Sequence, residues 1–379
     1  MPKIKFISIL LFVIGLFTGL SSVFGEPYAP ESSKDPNQKL VFYSAKEKSF
    51  QYTGRIDFTN PALPRFYSPG VYIKANFEGS SCQIELNDEV LYGTSHNYIS
   101  VVVDNNVPKR IKLTGKNNIL TVAENLTGKT HTLLICKSTE SGIGYLEFVG
   151  IRCKKLLPPS PRPVRKIEFI GNSITCGTGS DLTIPCESTK DWYDQHNAYL
   201  SYGPLTARAL QAEWVLTSVS GIGLIHSCCE LPVTMPQVFD KLNMRDNKIS
   251  WDFSRYQPDI VTVCLGQNDG QQDSAAFCNA YVDFIGTIRK HYPEASIVCL
   301  TSPMADSILV PFMKKMLTSV VANVLAQGDK NVYTYFFTKR FSKGCGGHPD
   351  LTEHQEIANE LTGFITNIKK WQFEIRNEM

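Results

Sequence analysis

Leu157-Pro158-Pro159-Ser160-Pro161-Arg162-Pro163 divides the sequence into two unlike halves. Proline fixes φ and removes a backbone donor, so this density cannot continue a strand or a helix. The stretch predicts a stiff linker over 156–165 and a domain boundary. Upstream, short runs rich in Val, Ile, Tyr and Phe recur at 70–77, 81–86, 98–103, 118–122 and 131–136, punctuated by Gly, Asn and Asp. That rhythm predicts an antiparallel β-sandwich over 26–155. Downstream, strands expected at 166–170, 214–219, 259–265, 295–300 and 332–336 alternate with helices expected at 198–212, 274–291, 308–326 and 351–369. Strand alternating with helix predicts a parallel sheet flanked by helices over 166–379.

The 379-residue length fits two domains, and 42% hydrophobic content is ordinary for a globular protein. Lys and Arg total 38 against 36 Asp and Glu, so no basic excess points to a nucleic-acid partner. Lys3 and Lys5 precede an apolar run from Ile9 to Leu20, and Ser22-Val23-Phe24-Gly25 offers a small-residue cleavage site before Glu26. Residues 1–25 therefore read as a secretory signal peptide, with a membrane anchor as the rival reading. No later segment looks apolar enough to span a membrane. A soluble, extracellular mature protein is expected, its oligomeric state open.

The 11 cysteines are odd in number, so one thiol at least lacks a partner within the chain. Cys136, Cys264 and Cys299 lie in apolar strand-like runs and read as buried free thiols. Cys176 and Cys186 are loop-like and could bridge in an oxidising compartment. No CxxC pair occurs, and the vicinal Cys228-Cys229 lacks metal-ligand spacing, so no metal site and no cofactor is expected.

Ligands in open α/β sheets bind beyond the carboxyl ends of the strands. Four loops fall at that edge: Gly171-Asn172-Ser173, Ser220-Gly221-Ile222-Gly223, Gly266-Gln267-Asn268-Asp269 and Gly347-His348-Pro349-Asp350. They carry the parts of an acyl-transfer site. Ser173 would be the nucleophile and His348 its general base. The Ser173 and Gly221 N–H groups and the Asn268 amide would form the oxyanion hole, each donor worth roughly 3–4 kcal/mol on the transition state. Singly, each block has a plainer reading: a serine in a turn, turn glycines, a helix cap. Their joint occurrence at one sheet edge favours chemistry.

The order Ser, Gly, Asn, His resembles the SGNH, or GDSL-like, hydrolase superfamily, with Gly266-x-Asn268-Asp269 and His348-Pro349 among its blocks. The flanks are similar to carbohydrate esterase family two, notably Arg65-Phe66-Tyr67-Ser68-Pro69-Gly70, Trp251-Asp252-Phe253-Ser254-Arg255-Tyr256, and Tyr292-Pro293. The resemblance implies a jelly-roll domain before an SGNH domain, and deacetylation of plant cell-wall polysaccharides without a metal. Two positions depart from the superfamily. Asn172 stands where it usually has Asp, keeping size and hydrogen-bonding ability. Cys345 stands three residues before the histidine, where it usually has the triad Asp. The resemblance implies a Ser–His dyad steadied by a backbone carbonyl near 345–347. Asp350 is expected to cap the last helix, Asp269 to order its loop, and His354 to lie inside that helix away from chemistry.

Trp192-Tyr193, in the long 178–197 insertion, could stack on sugars and line the cleft, or simply anchor the loop. Asn125-Leu126-Thr127 is a glycosylation sequon if the source is eukaryotic. The expected partner is an acetylated plant cell-wall polysaccharide or oligosaccharide. The competing expectations are another SGNH esterase acting on peptidoglycan or short-chain esters, a catalytically impaired glycan-binding protein, and an adhesion role for the sandwich alone.

Overall fold

A computed structural model describes residues 39–187, 191–245 and 248–371; the expected signal peptide at 1–25 lies outside them. Two antiparallel sheets of six strands each make up the N-terminal half. One is built around Leu146–Cys153, which pairs with Cys82–Asp88, Arg65–Phe66 and Val41–Ser44. The other is built around Thr130–Lys137 between Tyr72–Glu78 and Tyr98–Val103, with Ile135 opposite both Ile73 and Val101. Side chains alternate across a strand. Ile73, Ala75 and Phe77 therefore enter the sandwich core with Ile84, Phe148 and Ile151, while Tyr72, Lys74 and Asn76 face outward.

The C-terminal half is a five-stranded parallel sheet. Its spatial order is Ala212–Ser218, Arg165–Gly171, Ile260–Cys264, Ser296–Leu300 and Val332–Tyr335. All but the last strand are buried throughout or nearly so, as apolar runs sandwiched between helices should be. Helices Ser274–His291 and Leu351–Lys369 occupy the spans expected for them. Asp350 caps the latter in a reciprocal capping box with Glu353.

Two expectations need correction. The helix expected over 198–212 is a short 3-10 turn, Ala198–Leu200, then a helix Tyr202–Ala209. Ser201 adopts extended φ/ψ between them, Gln211 takes φ 53°, and Ala212 already begins the next strand. Leu309–Ala326 is, by length and composition, apolar enough to cross a membrane. Here its stripe Met316, Leu317, Val320 and Val324 packs into the core with Phe277 and Tyr281, while Lys314, Lys315 and Asn323 are exposed. Of the two loop-like cysteines that could bridge, Cys186 does so, with Cys345, whereas Cys176 is a buried free thiol. Cys228 and Cys229 are joined to each other. Cys136, Cys264 and Cys299 are buried thiols.

The proline stretch does not hold two independent bodies apart. The described residues form one compact unit. Tyr72 of the sandwich lies 4.0 Å, centroid to centroid, from Trp214 of the parallel sheet, whose indole N–H donates to the Gly70 carbonyl at 2.9 Å. Arg55 and Glu168, both fully buried, pair across the same boundary at 2.9 Å. The linker itself is tied down by Asn76, which donates to Pro158 O, and by Arg162, which pairs with Glu213.

Candidate active site

The strand order puts the first three loops side by side. Arg165–Gly171 lies between Ala212–Ser218 and Ile260–Cys264, so the Ser173 turn emerges between the Gly221 and Asn268 loops. Ser173 opens a single helical turn, Ser173–Cys176, capped by Asn172, whose Oδ1 accepts from the Ile174 N–H at 3.2 Å. A carboxylate would cap the same way, so Asn172 preserves the geometry of the superfamily's aspartate.

His348 comes from beyond the far edge strand, and its loop must run back across the sheet. Three ties hold it there. The Cys345 N–H donates to Gly179 O at 2.8 Å, the Leu351 N–H to Ser180 O at 3.1 Å, and Cys345 is bonded to Cys186. Gly179, at φ +65°, is required by this approach: a Cβ there would lie 2.5 Å from the Cys345 carbonyl oxygen.

The result is a Ser173 Oγ to His348 Nε2 distance of 2.8 Å and a His348 Nδ1 to Cys345 O distance of 3.0 Å. A carbonyl only accepts, so Nδ1 carries the proton and Nε2 presents its lone pair to the serine hydroxyl. Burial pushes the His348 pKa down, partly offset by the Cys345 carbonyl, which favours the charged ring. Burial thus favours the neutral ring, the form that a general base requires. Cys345, where the superfamily has its aspartate, serves through its backbone while its side chain points to Cys186.

No intramolecular acceptor meets the Ser173 or Gly221 backbone N–H among the described residues. Gly221 adopts φ +82°, a left-handed conformation in which a non-glycine residue would be strained. The Asn268 amide donates one proton to Ile222 O at 2.8 Å, which fastens it to the Gly221 loop and leaves its second proton free. Asp269 accepts from the N–H groups of Leu224, Ile225 and His226 at 2.7–3.0 Å, ordering the same loop from the other side.

One contributor escaped the sequence reading. Glu140 belongs to the sandwich, yet its Oε2 accepts from the Ser220 N–H at 2.6 Å and from the Cys176 thiol at 3.3 Å. Burial raises its pKa, while the Ser220 N–H bond acts the other way. Ser220 Oγ in turn meets Thr178 Oγ1, which also contacts His196. Nothing in the local sequence marks Glu140, whose partner lies 80 positions away.

The aromatic pair separates. Trp192 is 56% exposed and its edge lies against His196, 4.7 Å between centroids. Tyr193 is only 3% exposed; it packs with Tyr98 and Ile143, and its hydroxyl accepts from the His96 N–H. Tyr193 therefore anchors the insertion to the sandwich rather than lining a cleft. His354 is fully buried and accepts from the Tyr202 N–H. Among the described residues no cluster of three His, Cys, Asp or Glu could hold a metal ion.

Comparison with known proteins agrees with this architecture. Residues 52–161 match the carbohydrate esterase 2 N-terminal family, and residues 169–334 the GDSL-like lipase/acylhydrolase family. The cellulase/esterase CelE of Acetivibrio thermocellus is 32% identical over 84% of this chain, which spans only 39% of that longer protein. An acetylxylan esterase/glucomannan deacetylase of Cellvibrio japonicus is 29% identical over 86% of this chain and 91% of its own length. The structure of a family two carbohydrate esterase from Clostridium thermocellum, solved in complex with cellohexaose, superposes with a TM-score of 0.78 at 30% identity, covering 85% of this chain and all of that one. A serine–histidine pair on a parallel sheet, a jelly-roll partner layer and these similarities converge: the chain belongs to family two of the carbohydrate esterases.

Proposed function

We propose that the protein is a secreted carbohydrate O-deacetylase of the acetylxylan or glucomannan esterase type. The observation that carries this reading is the 2.8 Å contact between Ser173 Oγ and His348 Nε2, with Nδ1 committed to a carbonyl acceptor. Ser173 Oγ attacks the acetyl carbonyl carbon as its proton passes to Nε2. The carbonyl oxygen becomes an oxyanion, received by the Ser173 and Gly221 N–H groups and the free Asn268 amide proton. The tetrahedral intermediate collapses, Nε2 returns the proton to the departing sugar oxygen, and acetyl remains on Ser173. Water, deprotonated by the same nitrogen, then releases acetate and restores the serine.

A neutral carbonyl behind His348 orients the ring but stabilises imidazolium less than a carboxylate does, so the dyad trades rate for geometry. The names of the relatives support acetylated plant polysaccharide as the substrate class. The Cys186–Cys345 bond supports an oxidising, extracellular setting, consistent with a cleaved leader at 1–25. The test is acetate release from acetylated xylan and acetylated glucomannan, with O-acetylated peptidoglycan and short-chain esters as competitors. Preferential release from the plant polysaccharides is expected. Preference for peptidoglycan or simple lipid esters would move the protein to another esterase class.

A further inference from the structure

We propose a second, non-catalytic glycan site, built for a carboxylate-bearing sugar, at the end of the parallel sheet opposite the catalytic loops. A cavity of about 330 Å³ opens there, at the start of the strand Ala212–Ser218. Ser220 and Gly221 leave the same strand at its other end. The cavity is the wedge between the outward face of the sandwich strand Tyr72–Glu78 and the end of the helix Tyr202–Ala209, and its size suits one ligand moiety.

Its chemistry is uneven in a way that asks for an anion. Lys74 and Arg208 both line it. Neither has a carboxylate within ion-pair distance among the described residues. Among the described residues Arg208 makes one hydrogen bond, to Tyr199 O at 2.9 Å, and its guanidinium lies over the Tyr199 ring at 4.0 Å and the Trp214 ring at 5.6 Å. Lys74 makes no hydrogen bond among the described residues, and its ammonium lies 5.4 Å from the Tyr72 ring. The nearby carboxylate of Glu213 is already engaged by Arg162 at 2.6 Å. Burial lowers both pKa values; at Lys74 the Glu213 carboxylate offsets this in part, while the Arg162 and Arg208 guanidiniums add to it. An incoming carboxylate would relieve that cost through charge-assisted hydrogen bonds.

The remaining walls fit a sugar body rather than a bare ion. Leu134 and Val102 supply apolar surface and Gln211 an amide, while Trp214 and Tyr199 lie nearly buried behind them, their rings covered by Tyr72 and Arg208. Apolar walls take the C–H face of a pyranose, and amides match its hydroxyls. A uronic acid unit combines ring and carboxylate. The choice of a sugar, though not of an anion, rests on the carbohydrate reading of the catalytic site. A polysaccharide decorated with uronic acids would then be held at one end of the sheet while acetyl groups are removed at the other.

The experiment titrates methyl glucuronide, methyl glucoside and inorganic phosphate into the intact protein and into Lys74→Gln, read by ligand-observed NMR. Hydrolysis of nitrophenyl acetate is followed in parallel. Expected are saturable glucuronide binding, weakened at least tenfold in Lys74→Gln, much weaker binding of glucoside and phosphate, and unchanged hydrolysis by the variant. Glucuronide that fails to bind, or binds both proteins equally, overturns the site. Phosphate binding as tightly as glucuronide overturns the sugar assignment. Should the Lys74→Gln fold be lost, as read by circular dichroism, Gln211→Ala replaces it under the same criteria, with a threefold or greater loss expected. Glucuronide binding without ester hydrolysis would instead sink the deacetylase reading and leave this site standing.

Discussion

The bond between Cys186 and Cys345 bears on stability and on catalysis by separable routes, and a four-variant series distinguishes them. The bond closes a sequence separation of 159 residues. Chain entropy over a loop of that length gives a ceiling of about 5 kcal/mol, and measured disulfides more often contribute about 2–4 kcal/mol. For a cooperative unit of the described residues, unfolding entropy of about 2.1 cal/mol/K per residue makes each kcal/mol worth about 1.4 °C. Cys186→Ser and Cys345→Ser should therefore each lower Tm by roughly 3–6 °C in calorimetry, and the double variant should add little. The catalytic effect runs through the Cys345 carbonyl. That carbonyl survives in every variant and keeps its Cys345 N–H to Gly179 O tie. Loosening it should weaken one hydrogen bond to His348, worth about 1 kcal/mol, so kcat on nitrophenyl acetate should fall by less than about tenfold. Cys345→Asp is the discriminating member. The side chain at 345 is directed at Cys186 and not at His348, so Asp should behave like Ser at this position. A Cys345→Asp enzyme faster than the parent would show that a carboxylate reaches the imidazole, and would refute the carbonyl-supported dyad.

Burial lowers the His348 pKa, so the ring stays neutral to more acid pH than an ordinary histidine; kcat/KM should rise through an apparent pKa below about 6.5, and an acid limb above that value would contradict the buried-base geometry. Gly179→Ala would drive a Cβ toward Cys345 O, and should cut kcat at least tenfold while leaving KM for small esters nearly unchanged. Glu140→Ala strands the partly buried Ser220 N–H, which costs about 1–3 kcal/mol by urea denaturation and should lower kcat by disturbing the adjacent Gly221 donor; full activity in a destabilised variant would confine Glu140 to a structural role.

Much of this was legible in the residues, for identifiable reasons. Period and punctuation carry local structure, so Ser274–His291 and Leu351–Lys369 could be bounded from sequence. Strand-end loops converge in any parallel sheet, so Ser173, Gly221 and Asn268 could be grouped before their coordinates were known. Features set by distant partners could not. Cys345 chooses Cys186, and Glu140 chooses Ser220, through folding of the whole chain. Tyr193 and Trp192 are neighbours of equal aromatic character, and only packing against Tyr98 and Ile143 decides which of them is buried. The helix expected over 198–212 broke where Ser201 and Gln211 left helical φ/ψ, because the strand Ala212–Ser218 claims the next residues for the sheet.

The account turns on a serine hydroxyl activated by His348, and trapping the covalent intermediate addresses it most directly. Rapid acid quench of the protein with nitrophenyl acetate, followed by mass spectrometry of its peptides, should find one acetyl group on the peptide carrying Ser173. It should be absent in Ser173→Ala and strongly reduced in His348→Ala. Acetate released at the parental rate by Ser173→Ala, or acetyl carried stoichiometrically on another side chain, would contradict it.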